Sequence, residues 1–456
     1  MIRSINPANE QTLMAYEAHD AEAVDRSLTQ AVKAQTEWRK KSVAERVVLL
    51  QSLSRVLRAR RAEFAELITL EMGKPLAEAV GEVEKCAVTS DFYAGHAVAY
   101  LDDEVVASNA SDSRVVYDPL GVLLAVMPWN YPFWQVMRAA TPALAAGNAV
   151  VLKHAGNVPQ CALALASLFK DAGAPEGLFT VLLIDSSKVR AVIEDPRIAA
   201  VTFTGSTPVG RAIASQAGNA LKKQVLELGG SDPFIVLADA DIPAAAKAAV
   251  KARFQNTGQS CISAKRFIVE VSVADAFADA MTSQAAALVV GDPLKAGTEI
   301  GPMARGNLRD DLHAQVLASV AQGAVLRTGG KAIDGPGFYY APTVLDHVGL
   351  DMTAAREETF GPVAAIMRVA DADEAITVAN STEFGLGAAL WTGNLVRARL
   401  LSRQIDAGAV FVNGVVASDA RLPFGGLKQS GYGRELGVHG LREFTNIKTV
   451  WTGPAR

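Results

Sequence analysis

From Arg114 onward the chain alternates short Val- and Leu-rich runs with segments of helix length. The runs are Arg114 to Tyr117, Val122 to Met127, Ala149 to Lys153, Phe179 to Ile184 and Ala200 to Phe203. A second series falls at Phe234 to Leu237, Arg266 to Val271, Val363 to Met367, Ala388 to Trp391 and Val410 to Asn413. Strands separated by helices cannot pair as hairpins, so the pattern calls for βαβ units and parallel sheets. The expected class is α/β, built as two parallel-sheet domains. No repeat or Pro/Ser-rich tether divides the series, so the boundary near residue 230 should be a short crossing between rigidly apposed domains. Sites in such folds lie beyond the carboxyl ends of the strands and in the cleft between domains.

The first hundred residues read as helical. Asp20 is a plausible N-cap for a helix with Val24, Leu28 and Val32 on one face, ending near Trp38. Ser42 and Glu45 have the spacing of a capping box, and the stripe Leu49, Leu53, Val56, Leu57 behind them predicts a long helix to about Glu71. Gly73 and Pro75 supply the stop, and a further helical pattern runs through Val80 and Val83.

Composition narrows the function classes. With 44 basic against 48 acidic residues and a formal charge of −4, the 456-residue chain lacks the basic footprint of a nucleic-acid binder. Its three cysteines, Cys86, Cys161 and Cys261, match no metal-ligand spacing, so no metal site is expected and a reducing, cytoplasmic setting fits. The start MIRSINPANEQTL has no signal-peptide core, and the apolar stretch from Leu120 to Trp129 is too short to span a bilayer.

Several short motifs carry chemistry. Phe203-Thr-Gly-Ser-Thr-Pro-Val-Gly210 follows a strand and opens a helix, a turn whose N–H groups can hold a pyrophosphate or serve only as a connection. Glu227, within Leu226-Glu-Leu-Gly-Gly230, is either a buried structural ion or a base tuned by burial. Cys261, after the polar turn Asn256-Thr-Gly-Gln-Ser260, is either a small packing residue or an exposed thiolate. Glu357-Glu-Thr-Phe-Gly-Pro362 and Pro423-Phe-Gly-Gly-Leu-Lys-Gln-Ser-Gly431 add acids, aromatics and tight turns.

Taken in order with Pro128-Trp-Asn-Tyr-Pro132 and Lys153, these motifs resemble the aldehyde dehydrogenase superfamily from end to end. The resemblance implies a nucleophile, Cys261, that forms a thiohemiacetal and then a thioester, a general base, Glu227, and an oxyanion donor, Asn130. It implies cofactor contacts from Trp129, Lys153, Gly156, Gly205, Ser206, Gly210, Glu358 and Phe360. Relatives that prefer NAD often carry a glutamate where this chain has Gly156, a carboxylate that would repel a 2′-phosphate. NADP is therefore expected as the preferred cofactor, helped by Lys153 and His154, with NAD also possible.

The stretches Lys153 to Asn157, Gln259 to Arg266 and Ser418 to Phe424 resemble the short bacterial succinate-semialdehyde dehydrogenases. Arg138 and Ser418 then bind the substrate carboxylate, a task that suits a guanidinium fork. Two departures stand out: Gln255 replaces an arginine of longer relatives, and Ser263 replaces a second cysteine, which excludes a disulfide between neighbouring thiols. The expected reaction is NAD(P)-dependent oxidation of succinate semialdehyde to succinate, with a role in 4-aminobutyrate degradation as an extrapolation. The alternatives are glutarate semialdehyde or an aromatic aldehyde as substrate, acyl transfer to coenzyme A, or a non-catalytic protein retaining the fold. The family architecture implies a nucleotide-binding domain (1–110 and 127–230), a catalytic domain (231–418) and an oligomerisation element (111–126 and 437–456). That element's hairpin edge implies a homodimer or homotetramer.

Overall fold

In the computed structural model, which describes residues 1–453, two sheets rich in parallel pairs form the framework. The first has six strands in the order Gly431–Tyr432, Lys223–Glu227, Ile198–Thr204, Val122–Met127, Ala149–His154, Phe179–Val181. All neighbours are parallel except Gly431–Tyr432, which returns antiparallel from near the C-terminus onto Lys223–Glu227. Every residue of Val122–Met127 is buried, the continuous apolar run of a strand covered on both faces. The chain order moves outward from this strand in one direction and then returns to its other side. The reversal puts a switch point between the carboxyl ends of Val122–Met127 and Ile198–Thr204, where ligand crevices open in such sheets.

The second sheet has seven strands in the order Val325–Thr328, Thr343–Asp346, Val363–Val369, Ala264–Glu270, Asp232–Val236, Gly387–Trp391, Ala409–Val412. Only the outermost pair, Val325–Thr328 with Thr343–Asp346, is antiparallel. A separate three-stranded sheet joins Glu104–Val105, Asp112–Pro119 and Thr445–Thr452. The stretch 111–126 therefore splits. Its first part enters the small sheet, whereas Val122–Met127 is a central strand of the six-stranded one. Of the element placed at 437–456, residues 454–456 lie outside the described residues.

The helical start follows its capping chemistry. Asp20 accepts from the Ala23 N–H at 2.7 Å, and Ser42 with Glu45 forms a reciprocal capping box. The long helix expected to reach Glu71 is instead two, Val43–Ala59 and Arg61–Met72, broken where Arg60 leaves helical geometry at φ −104°, ψ 17°. The Arg60 side chain joins Glu63 and Asp171, holding the second helix beside Pro159–Asp171. Gly73 ends that second helix at φ 81°, where a Cβ would stand 2.7 Å from Pro302. Phe179 to Ile184 pairs only over Phe179–Val181.

Glu71 ties three elements together without solvent. Its carboxylate accepts from Ser4 Oγ at 2.6 Å, from the Gln160 N–H at 3.0 Å and from the Cys161 N–H at 2.8 Å, capping Pro159–Asp171 from a neighbouring helix. Glu71→Ala would orphan two donors at a helix start, each worth ~1–3 kcal/mol when left unpaired. The expected result is a clear fall in thermal midpoint by calorimetry. An unchanged midpoint would show that the cap is dispensable.

Candidate active site

The switch point holds a cavity of about 220 Å³. Loop residues Trp129 and Asn130, just beyond Val122–Met127, form one wall, and Gly205 and Ser206, just beyond Ile198–Thr204, form another. Ser206 is the N-cap of Thr207–Asn219 and its side chain caps nothing, so the helix start faces the crevice with free N–H groups. Glu358 and Phe360 close the cavity from the seven-stranded side. Phe360 packs edge-on to Trp129, with ring centroids 5.8 Å apart. Glu358 accepts from the Gly230 N–H at 3.1 Å, and a Cβ on Gly229 would stand 2.4 Å from its carboxylate, so only glycine fits between them.

A second cavity, of about 280 Å³, lies on the other side of Cys261, which forms part of both walls. Arg138 and Ser418 line it, as do Lys85, Trp134 and Phe424. Cys261 stands alone among the three thiols in reaching a cavity; Cys86 and Cys161 are fully buried.

The loop carrying Cys261 is held from beneath. Asn256 and Thr257 sit at φ 55°, a left-handed conformation unusual for side-chain-bearing residues, and this turns the chain sharply toward the cleft. The Lys265 ammonium, fully buried, donates to the carbonyls of Ser260 at 3.1 Å, Cys261 at 2.9 Å and Ser263 at 3.3 Å, and pairs with Glu358 at 3.4 Å. Asn130 Nδ2 donates to the Gln259 carbonyl at 3.1 Å, which fixes the amide's orientation and leaves its second N–H free for the cavity. Asn256 Nδ2 donates in turn to the Asn130 and Gln259 carbonyls at 2.9 and 3.0 Å.

Burial pushes the Cys261 thiol up to about 12, against the opposing pull of Arg138 and Lys265, so the resting sulfur is protonated. Glu227, the last residue of its strand, is also buried, and both its oxygens lack hydrogen-bond partners. Burial raises its carboxyl well above the ordinary range, and the charge of Glu435 adds to the rise. Its side chain lies against Gly425, outside both cavity walls. Glu435 is bound to Arg138 in a buried ion pair.

The structure therefore brings Cys261, Asn130, Trp129, Gly205, Ser206, Glu358 and Phe360 around one cavity, and Cys261, Arg138 and Ser418 around the other. Lys153 and Gly156 stand at and just beyond the end of the adjacent strand Ala149–His154, outside that cavity wall. Gly210 lies outside that cavity wall and packs closely, since a Cβ there would stand 2.3 Å from Leu228. His154 also faces inward. Its Nδ1 accepts from the Ala155 N–H, its Nε2 donates to the Pro132 carbonyl at 2.9 Å, and burial lowers its pKa to about 4. A neutral imidazole facing inward supplies no charge for a phosphate, which corrects the expectation for that residue.

Lys85, Lys265 and Glu435 escaped the sequence reading. Lys85 falls at the end of the i, i+3, i+4, i+7 set Glu78, Gly81, Glu82, Lys85 on Leu76–Tyr100, all of which line the cavity. That spacing was a usable signal, although a polar stripe of this kind ordinarily faces water.

Residues 1–450 match the aldehyde dehydrogenase family. The chain is 52% identical over 450 residues to a probable NADP(+) succinate-semialdehyde dehydrogenase of Synechocystis sp., covering 99% of each chain. It is 50% identical over 448 residues to the NAD(P)+ succinate semialdehyde dehydrogenase Sad of Escherichia coli K12, covering 98% of this chain and 97% of the other. A crystal structure of succinic semialdehyde dehydrogenase from Streptococcus pyogenes in complex with NADP+ superposes with a TM-score of 0.97 at 36% identity, covering 100% of both chains. With its sheets, its cysteine between two cavities and its whole-length match in agreement, the chain belongs to the aldehyde dehydrogenase family.

Proposed function

We propose that the protein oxidises succinate semialdehyde to succinate, with NADP as the preferred cofactor and NAD accepted. The observation that carries this reading is the position of Cys261 in a wall shared by a nucleotide-type crevice and a cavity containing Arg138, Lys85 and Ser418. The close relatives named for that reaction support it. An aldehyde entering the second cavity meets the Cys261 sulfur, which loses its proton to solvent as it adds to the carbonyl carbon to give a thiohemiacetal. The free Nδ2–H of Asn130 and the Cys261 backbone N–H stabilise the oxyanion; one such donor contributes about 10²–10³ in rate in comparable sites. A nicotinamide bound in the crevice supplies a hydride acceptor. Glu227 then takes a proton from the water that cleaves the thioester, after turning from Gly425 toward the sulfur.

The crevice residues fit a dinucleotide. Gly205, Ser206 and the start of Thr207–Asn219 suit the pyrophosphate, and Glu358 and Phe360 suit the nicotinamide riboside. At the other end Lys153 would reach the adenosine ribose. Gly156 is exposed, and a Cβ there would meet nothing within 4 Å, which leaves room for a 2′-phosphate. On this reading residues 1–110 and 127–230, extended to take in all of Val122–Met127, form the nucleotide-binding domain, with 231–418 as the catalytic domain. The strand Thr445–Thr452 exposes Ile447, Val450 and Trp451, and we assign it to a homodimer or homotetramer contact. Among the described residues no helix is long and apolar enough to cross a membrane. A reducing, cytoplasmic compartment suits a mechanism that requires a free Cys261 thiol.

Three measurements test the reading. Reduced-nicotinamide formation should be at least tenfold more efficient (kcat/KM) with succinate semialdehyde than with butanal, glutarate semialdehyde or benzaldehyde; equal efficiency would remove the carboxylate anchor. Cys261→Ala should abolish turnover while NADP binding, followed by calorimetric titration, persists; residual turnover at the wild-type rate would exclude this nucleophile. Gly156→Glu places a carboxylate beside the 2′-phosphate, where single charges 4 Å apart interact by about 1–4 kcal/mol across solvent-like to surface dielectrics. The NADP-to-NAD efficiency ratio should fall roughly tenfold or more, and an unmoved ratio would place the phosphate elsewhere.

A further inference from the structure

Among the described residues, the substrate cavity holds one cation that has no ion-pair partner. Arg138 is engaged: Glu435 binds its Nε in a buried ion pair, and the Phe424 ring stacks 4.8 Å from its guanidinium carbon. Lys85 is different. Its Nζ donates to Ser418 Oγ at 2.6 Å and lies 4.2 Å from the Trp134 ring centroid, and among the described residues it forms no ion pair.

The nearby carboxylates are occupied. On the same helix Glu82 is held by Lys74 and by the N–H groups of Phe133 and Trp134, and Glu78 accepts from the Asn256 N–H at 2.7 Å. On the facing segment Asp419 is bound by Arg421. A half-buried ammonium next to a second cation and short of a counter-ion is costly for the free protein. Burial, and secondly the positive charge of Arg138, lower the Lys85 pKa to about 8. An anion bound there would stabilise the ammonium against both.

We propose that Lys85 is a specificity-determining residue whose ammonium, aimed by Ser418 and the Trp134 face, binds the substrate carboxylate beside the Glu435-anchored Arg138. The inference rests on the proposed oxidation of a carboxylate-bearing aldehyde and names the group that selects it. Arg138 is then a fixed neighbouring charge, and Lys85, on a flexible four-carbon stem, is the donor that moves to meet the anion. A charge-assisted hydrogen bond of this kind corresponds to about 10–100-fold in affinity.

The test is a comparison of kcat/KM for succinate semialdehyde and for butanal in wild type, Lys85→Met and Lys85→Arg at saturating NADP. The expected result is a wild-type preference for the carboxylate substrate that falls about 10–100-fold in Lys85→Met, through KM rather than kcat, and returns to within a few-fold in Lys85→Arg. A preference retained in Lys85→Met would overturn the role of Lys85 while leaving the proposed reaction intact. Absence of any preference in wild type would overturn both. Should Lys85→Met fail to fold, wild type alone decides. As pH rises past about 8 the ammonium is lost, so the KM for succinate semialdehyde should rise relative to that for butanal. Dividing one KM by the other cancels the titration of groups common to both reactions, and a flat ratio would overturn the proposal.

Discussion

The buried ammonium of Lys265 holds the site together. A lysine fully removed from water is tolerated only where its donors are answered, and here three carbonyls of the nucleophile loop and the Glu358 carboxylate answer them. The arrangement fixes Ser260, Cys261 and Ser263 against the start of Ala264–Glu270, the central strand of the seven-stranded sheet. It also links the loop to Glu358, which reaches across to Gly230 and the six-stranded side. One ion pair thus sets the sulfur's position relative to both cavities. Rigid placement of this kind makes a reaction between two bound partners effectively unimolecular.

Charge around the sulfur is arranged in pairs that differ in completeness. Lys265 with Glu358 and Arg138 with Glu435 are matched, Glu227 has no hydrogen-bond partner, and Lys85 has no counter-ion among the described residues. The unmatched groups are those to which we assign exchange with something from outside: a proton from water for Glu227 and a carboxylate for Lys85. Buried polar groups without partners are expensive to maintain, and they are most readily understood where a ligand completes them.

The sequence made visible whatever depends on local chemistry. Asp20 and the Ser42–Glu45 box cap their helices as their spacing requires, and the uniformly apolar runs at Val122 and Ala149 are buried parallel strands. The break at Arg60 was hidden because the apolar stripe continues past it, and a residue that leaves helical geometry only to reach Asp171 has no local signature. Thr343–Asp346 and Lys223–Glu227 also carry no strand signal in the sequence, being short runs with a polar residue at each end. At the site, Cys261, Asn130, Arg138 and Ser418 were recognisable through their motifs, whereas Lys85, Lys265 and Glu435 matter only through neighbours distant in sequence. His154 was misassigned for the same reason. It sits beside Lys153 within the motif, but its direction is set by a tertiary contact, the Pro132 carbonyl.

On the proposed mechanism Cys261, placed between two cavities, carries the acyl group and Glu227 is needed to release it. The most direct measurement is peptide mass spectrometry of Glu227→Gln quenched during turnover with succinate semialdehyde and NADP. With hydrolysis slowed and acylation intact, the succinyl group should accumulate on the peptide containing Cys261 and not on those containing Cys86 or Cys161. An acyl group on another residue, or none on Cys261 while reduced nicotinamide is being formed, would contradict the account.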